Sequence, residues 1–126
     1  DFVLQRIYNR VKDIPDFKAF IYFSDHGEDV EHNAGHESTK FSWTMARIPF
    51  LIHVSDSFMQ ANPEVVQTME SHKESYWTND LLYDFLMDIL GIEGISQQDT
   101  LDIASPTYQQ DKTTLTTLHG GKKIED

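Results

Sequence analysis

Apolar positions along this chain change spacing from helical to strand-like and back. Over residues 2–13, Phe2, Val3, Leu4, Ile7, Tyr8 and Val11 suit one helix face, and Ile14-Pro15-Asp16 closes that helix. The run over 19–24, Ala-Phe-Ile-Tyr-Phe-Ser, is continuously apolar and aromatic-rich, which predicts a buried strand. A second strand is predicted over 49–54, Pro-Phe-Leu-Ile-His-Val, with Ser55-Asp56 at its end. Asn62-Pro63 supplies an N-cap and a proline in the first helical turn, predicting a helix to about Lys73. A last helix is predicted over 80–90, capped by Thr78-Asn79. Leu81, Leu82, Phe85, Leu86, Ile89 and Leu90 cover its broad apolar face, and Gly91 stands at C′. Helices alternating with strands predict an α/β fold, a partial sandwich in which helices flank a sheet.

Between the strands lies a long polar connection, residues 25–47, rich in Gly, His and acids. Connections of that length without regular structure are usually functional or disordered. Phe41, Trp43, Met45 and Ile48 are expected to anchor its second half, and Phe20, Tyr22, Phe23, Phe50, Trp77 and Phe85 to join Phe41 and Trp43 in a core. The tail over 94–126 is polar and Thr-rich. Residues 115–118 and 122–124 could pair as an edge hairpin through His119-Gly120-Gly121.

Length and charge narrow the function classes. A chain of 126 residues makes one domain at most. A net charge of −11 disfavours non-specific nucleic-acid binding, which relies on neutralising phosphates with Lys and Arg, and equally disfavours docking on anionic lipid. No cysteine is present, so disulfides and thiolate metal sites are excluded. No apolar run approaches the roughly 20 residues that span a bilayer. The chain opens on Asp1-Phe2-Val3-Leu4 without Met, which is expected of a fragment or a processed product.

Candidate chemistry gathers where the first strand ends. Ser24 runs into Asp25-His26-Gly27-Glu28, and in an open α/β sheet the carboxyl end of a strand is where ligands bind. Adjacent Asp25 and His26 offer one hard oxygen and one borderline nitrogen, a mixture suited to zinc or manganese rather than calcium. The bland alternative is that Asp25 caps a local turn and His26 is a hydrogen-bonded loop residue. Gly27 permits a sharp turn or a close approach of the backbone. His36, ten residues beyond His26, could return over the site as the loop folds back. An imidazole there would stabilise an anionic phosphoryl oxygen; otherwise it is a solvated loop histidine. Glu28 could orient His26 or simply be exposed. Lys40 could add positive charge or be only solvated. His32 reads as a surface residue, His53 as a satisfied strand histidine, and His72 and His119 as lacking company. The acidic interval over 25–37 also holds Asp29, Glu31 and Glu37 and could bind a cation by itself.

Taken together, Tyr22-Phe23-Ser24-Asp25-His26-Gly27-Glu28, Gly35-His36 and Ile48-Pro49-Phe50 resemble the sulfatase branch of the alkaline phosphatase superfamily. They resemble more closely the periplasmic catalytic domain of the phosphoethanolamine transferases that decorate lipid A and the lipopolysaccharide core. The run from Thr78-Asn79-Asp80-Leu81-Leu82-Tyr83-Asp84 through Leu90-Gly91-Ile92 is similar to a helix of those enzymes, and Asp102-Ile103-Ala104-Ser105-Pro106-Thr107-Tyr108 to their Asp-Leu-Ser-Ser…Tyr segment. The resemblance spans about 18–108. It implies zinc (manganese is the alternative metal) held by Asp25 and His26, with His36 contacting the phosphate or phosphoethanolamine group. It also implies a phosphatidylethanolamine donor, a lipid A or core-sugar acceptor, and a periplasmic location in an inner-membrane protein.

The family's threonine nucleophile, its glutamate ligand and an upstream histidine have no counterpart here. The chain is therefore expected to be the C-terminal portion of a catalytic domain, inactive alone. It is expected to self-associate or dock with the rest of the domain through exposed sheet surface. Two other readings stay open: a sulfatase or phosphodiesterase hydrolase using the same Asp-His pair, and a non-catalytic acidic binding domain.

Overall fold

The computed structural model describes residues 2–93, 96–117 and 120–124. The chain divides into two compact units, Asp1–Asn62 and Pro63–Asp126. The expectation from sequence is one portion of a single catalytic domain over 1–126; the structure gives two compact units along that stretch.

In the first unit, α1 (Phe2–Val11) follows the helical spacing and ends two residues before the proposed stop. β1 (Ala19–Phe23) and β2 (Phe50–Val54) form a two-stranded sheet. The pairing is antiparallel, with Ala19 opposite Val54, Ile21 opposite Ile52 and Phe23 opposite Phe50. The carboxyl end of β1 therefore meets the amino end of β2. The long connection between the strands leaves and returns at one end of the sheet. Tyr8 on α1 ties the helix to the sheet: its ring meets Phe20 and His53 edge-on, with centroids 6.0 and 4.8 Å away. Its hydroxyl is 2.9 Å from His53 Nε2. His53 is thus a satisfied strand histidine, as its position within β2 implies.

The connection is more ordered than its composition suggests. A 3₁₀ turn at Ser38–Lys40 and a short helix α2 (Trp43–Ala46) occupy its second half. Met45 is buried there, and Phe41 and Trp43 meet edge-on at 5.1 Å. After β2 comes α3 (Asp56–Ala61), which hydrophobic spacing did not predict. Its signal is the Ser55 cap, whose hydroxyl accepts the Phe58 amide at 3.1 Å.

The second unit opens with α4 (Pro63–Ser71), proline first as expected. A 3₁₀ turn at Asn79–Leu81 leads into α5 (Leu82–Leu90). Thr78 takes the N-cap position without a side-chain capping bond, so the cap is positional only. Gly91 ends α5 in the left-handed region at φ 66°. Leu81, Phe85 and Ile89 are buried, and Phe85 is wholly enclosed. The tail is not merely a polar appendage, because Asp102, Ile103, Ala104 and Leu115 are buried too. It ends in a short antiparallel pair, β3 (Thr116–Thr117) with β4 (Lys122–Lys123). That pair answers the proposed edge hairpin, although Leu118 and His119 lie outside the described residues. Among the described residues, no helix is long and apolar enough to cross a membrane.

Only Phe85 of the eight aromatics assigned to a core is fully buried; Phe23 is exposed and the others are half-buried. The sheet carrying four of them has only two strands, so both its edges are open.

Candidate active site

β1 ends at Phe23, and Ser24 turns the chain toward Asp25 and His26. The Ser24 hydroxyl donates to the His26 carbonyl at 2.7 Å, and the His26 amide donates to Asp25 Oδ1 at 3.0 Å. These bonds hold the two side chains on one side of the turn. His26 Nδ1 lies 3.0 Å from the Gly27 carbonyl. A carbonyl can only accept, so this contact selects the Nδ1–H tautomer and leaves a lone pair on Nε2. That Nε2 is 3.7 Å from Asp25 Oδ2. A carboxylate oxygen and a ring nitrogen thus lie within reach of one another at an exposed strand exit, the two donor types that zinc accepts.

Gly27 explains why the turn stays put. Its amide donates to the Met45 carbonyl at 2.7 Å, and a Cβ at this position would collide with the Thr44 carbonyl oxygen. The close approach that a glycine permits is made to the backbone of α2. The strand exit is thereby locked to the returning half of the connection.

His36 returns because the connection closes on itself early. The Asp29 amide donates to the Gly35 carbonyl at 2.7 Å, and the Ala34 and Gly35 amides donate back to the Asp29 carbonyl at 3.0 and 3.1 Å. The tight path needs left-handed backbone at Asn33 (φ 51°) and Gly35 (φ 57°), residue types that adopt it readily. The next residue, His36, places its ring 4.6 Å from the ring of His26, with the planes 33° apart. Glu28 Oε1 lies 3.3 Å from His36 Nδ1. Of the two readings left open for Glu28, orienting His26 or plain exposure, the structure gives an exposed side chain whose contact is with His36. Lys40 is paired with Glu37 at 2.8 Å.

Two residues with structural weight escaped the motif reading. Asp29 is buried, and its carboxylate accepts from the His32 amide at 3.0 Å and the His32 ring at 2.9 Å. Its carboxyl is held below the ordinary range by the neighbouring Ser42 hydroxyl and then the His32 amide; burial pushes it up, and the His32 ring adds smaller downward pulls. Ser42 Oγ closes no hydrogen bond, so the His32 contacts are the defined ties. The available signal was Asp29-x-x-His32, a spacing at which an Asp side chain captures the amide three residues on. His72, expected to lack company, has Nδ1 2.9 Å from the Ile103 carbonyl and its ring 5.4 Å from that of Tyr108.

Comparison with known families decides what this arrangement belongs to. The sulfatase family model matches residues 1–92. The chain belongs to the sulfatase family. The matched segment of this sulfatase-family chain contains both strands of the first sheet, Asp25, His26, Gly27, Glu28 and His36, and all of α5. It stops short of the Asp102-to-Tyr108 run that entered the wider resemblance. No curated protein and no solved structure matches the chain.

The donor set fits part of a zinc site. Asp25 and His26 would supply two of the four ligands that zinc normally takes. Among the described residues, no group of three or more His, Asp or Glu side chains is arranged to hold a metal.

Proposed function

We propose that this sulfatase-family chain is the C-terminal portion of the catalytic domain of a zinc-dependent phosphoethanolamine transferase. Asp25 and His26 hold the metal, and His36 contacts the phosphoryl group of donor or acceptor. The observation that carries this reading is the return of His36 to 4.6 Å from His26, directly beyond the strand exit. A bound zinc supplies the Lewis acid that makes an alcohol nucleophile anionic near neutral pH and offsets phosphoryl charge.

This chain's own part is positional and electrostatic. The Gly27 carbonyl keeps His26 Nε2 free to coordinate. Asp25 adds an anionic oxygen beside it. Glu28 contacts Nδ1 of His36, leaving Nε2 on the far side of the ring to meet a phosphoryl oxygen. The nucleophile and the remaining ligands come from elsewhere in the domain, by the family pattern a threonine and a glutamate. Transferase rather than hydrolase specificity is supported by the sequence likeness running from about Lys18 to Tyr108. The donor in this reading is phosphatidylethanolamine, the acceptor lipid A or a core sugar, and the location the periplasmic side of an inner membrane. The two open edges of the β1–β2 sheet support docking with the rest of the domain, or self-association when the chain is alone.

The test is mass spectrometry of lipid A and core oligosaccharide from cells expressing the complete reading frame that contains this chain. Added phosphoethanolamine that disappears in Asp25→Ala and His26→Ala supports the transferase. Metal-dependent release of phosphate or sulfate esters to water, with no acceptor modified, assigns the hydrolase instead. Neither activity, with cation binding over 25–37 retained, leaves a binding domain. Isolated, the chain should bind zinc more weakly than micromolar; tighter binding by calorimetry would contradict the two-ligand assignment.

A further inference from the structure

We infer that Asp29 is a positioning residue for His36, acting through the closed turn between Asp29 and Gly35; its functional meaning rests on the phosphoryl-contact role proposed above for His36. Asp29 is 3% exposed although it lies in a polar, solvent-facing connection. A carboxylate enclosed in that way must be satisfied, or its desolvation would open the turn. Its two oxygens receive the His32 amide and the His32 ring. Its own amide and carbonyl close on Gly35 and Ala34. One residue thus ties both ends of the turn and its middle. Glu28, by contrast, reaches His36 only through a 3.3 Å contact between two exposed side chains. Such a contact is weak in water and cannot by itself hold two imidazoles 4.6 Å apart. The backbone path fixed by Asp29 puts His36 beside His26, and Glu28 then trims the orientation of its ring.

The experiment is proton NMR of the whole chain, reading the nuclear Overhauser effect between the ring protons of His26 and His36. Contacts between Ile21 and Ile52, opposite each other in the sheet, report separately on the fold. The wild-type chain is expected to show the inter-ring effect. Asp29→Ala should abolish it while the cross-strand contacts persist. Asp29→Asn keeps an acceptor for the His32 amide and should restore at least half the intensity. His32→Ala, which leaves the backbone closure intact, should reduce it by an intermediate amount. Full intensity in Asp29→Ala overturns the inference, as does its absence from the wild type. Should Asp29→Ala lose the cross-strand contacts as well, His32→Ala decides, and an unchanged effect there overturns the inference. Zinc titration of Asp25→Ala and His26→Ala tests the functional reading independently. Affinity equal to wild type would remove the metal assignment and leave the positioning result standing.

Discussion

The two units of this chain are stabilised in opposite ways. In the second, the 3₁₀ turn and α5 bury Leu81, Phe85 and Ile89, and Ile103, Ala104 and Leu115 are buried as well. In the first, the buried apolar side chains are Met45 and Phe58, and order is concentrated in backbone bonds around Gly27, Asp29 and Gly35. Packing holds one region and hydrogen-bond closure the other. Two imidazoles and a carboxylate at a solvent-facing turn cannot be enclosed in hydrocarbon, so backbone closure is the means left to hold them.

The largest expected effect tests the packed side. Phe85 is completely enclosed, and Phe85→Ala should cost about 3–5 kcal/mol by transfer and cavity terms together. Denaturant unfolding should show that loss as a lower midpoint, with amide protection in α5 falling first. A change below about 1 kcal/mol would mean that the second unit is not held by this core.

On the closure side, Gly27→Ala should cost on the order of 2 kcal/mol, because the added methyl meets backbone rather than a movable side chain. It should also loosen the Asp25–His26 turn and weaken zinc binding at least severalfold, measured by calorimetry. Unchanged stability and zinc binding would show that the contact with α2 does not position the site.

The third effect sets charge against burial inside the packed unit. Burial, opposed by the Ala104 amide and reinforced by Asp88, Asp84 and Asp99, pushes the Asp102 carboxyl up to about 6. Desolvation followed by the nearby Asp99 raises Asp88 as well. The folded state therefore holds its proton at a pH where the unfolded chain has released it. Stability from this source is complete below about pH 4 and is lost as pH rises through about 6. The size is on the order of 2 kcal/mol. Amide exchange of Phe85 and Ile89 should be slower at pH 5 than at pH 7.5 after correction for intrinsic rates. Asp102→Asn should flatten that difference, and a slope unchanged by the substitution would assign it to other groups.

Smallest is the cap of α3. Ser55→Ala removes the acceptor for the Phe58 amide and should cost about 1 kcal/mol. Circular dichroism during thermal unfolding would register it as a drop of a few degrees.

Long apolar runs made much of the fold legible. The spans of β1, β2 and α5 and the Gly91 stop follow from residue type and spacing, and the structure moves their ends by no more than two residues. The short helices α2 and α3 were not legible, because four to six residues carry too little periodicity and their order depends on neighbours. Strand direction was not legible either, since an apolar run reads the same whichever way its partner runs. At the site, Asp25, His26 and His36 stood out as residue types next to a strand end. What joins them did not stand out. Asp29 looks like one more acid in an acidic interval until its burial is seen, and Glu28 could have reached either histidine.

The closure between Asp29 and Gly35 also separates what this segment must conserve in shape from what it is free to vary. Val30 and Glu31 ride at the solvent-facing tip, Val30 with 77% of its surface open, while the base of the turn is pinned by backbone bonds. Replacing those two residues with others of different size or charge is expected to leave the base, and with it the bearing of His36, where it is. The tip works as an interchangeable cassette on a fixed mount, a place where the rim of the site can be redecorated without rebuilding its centre.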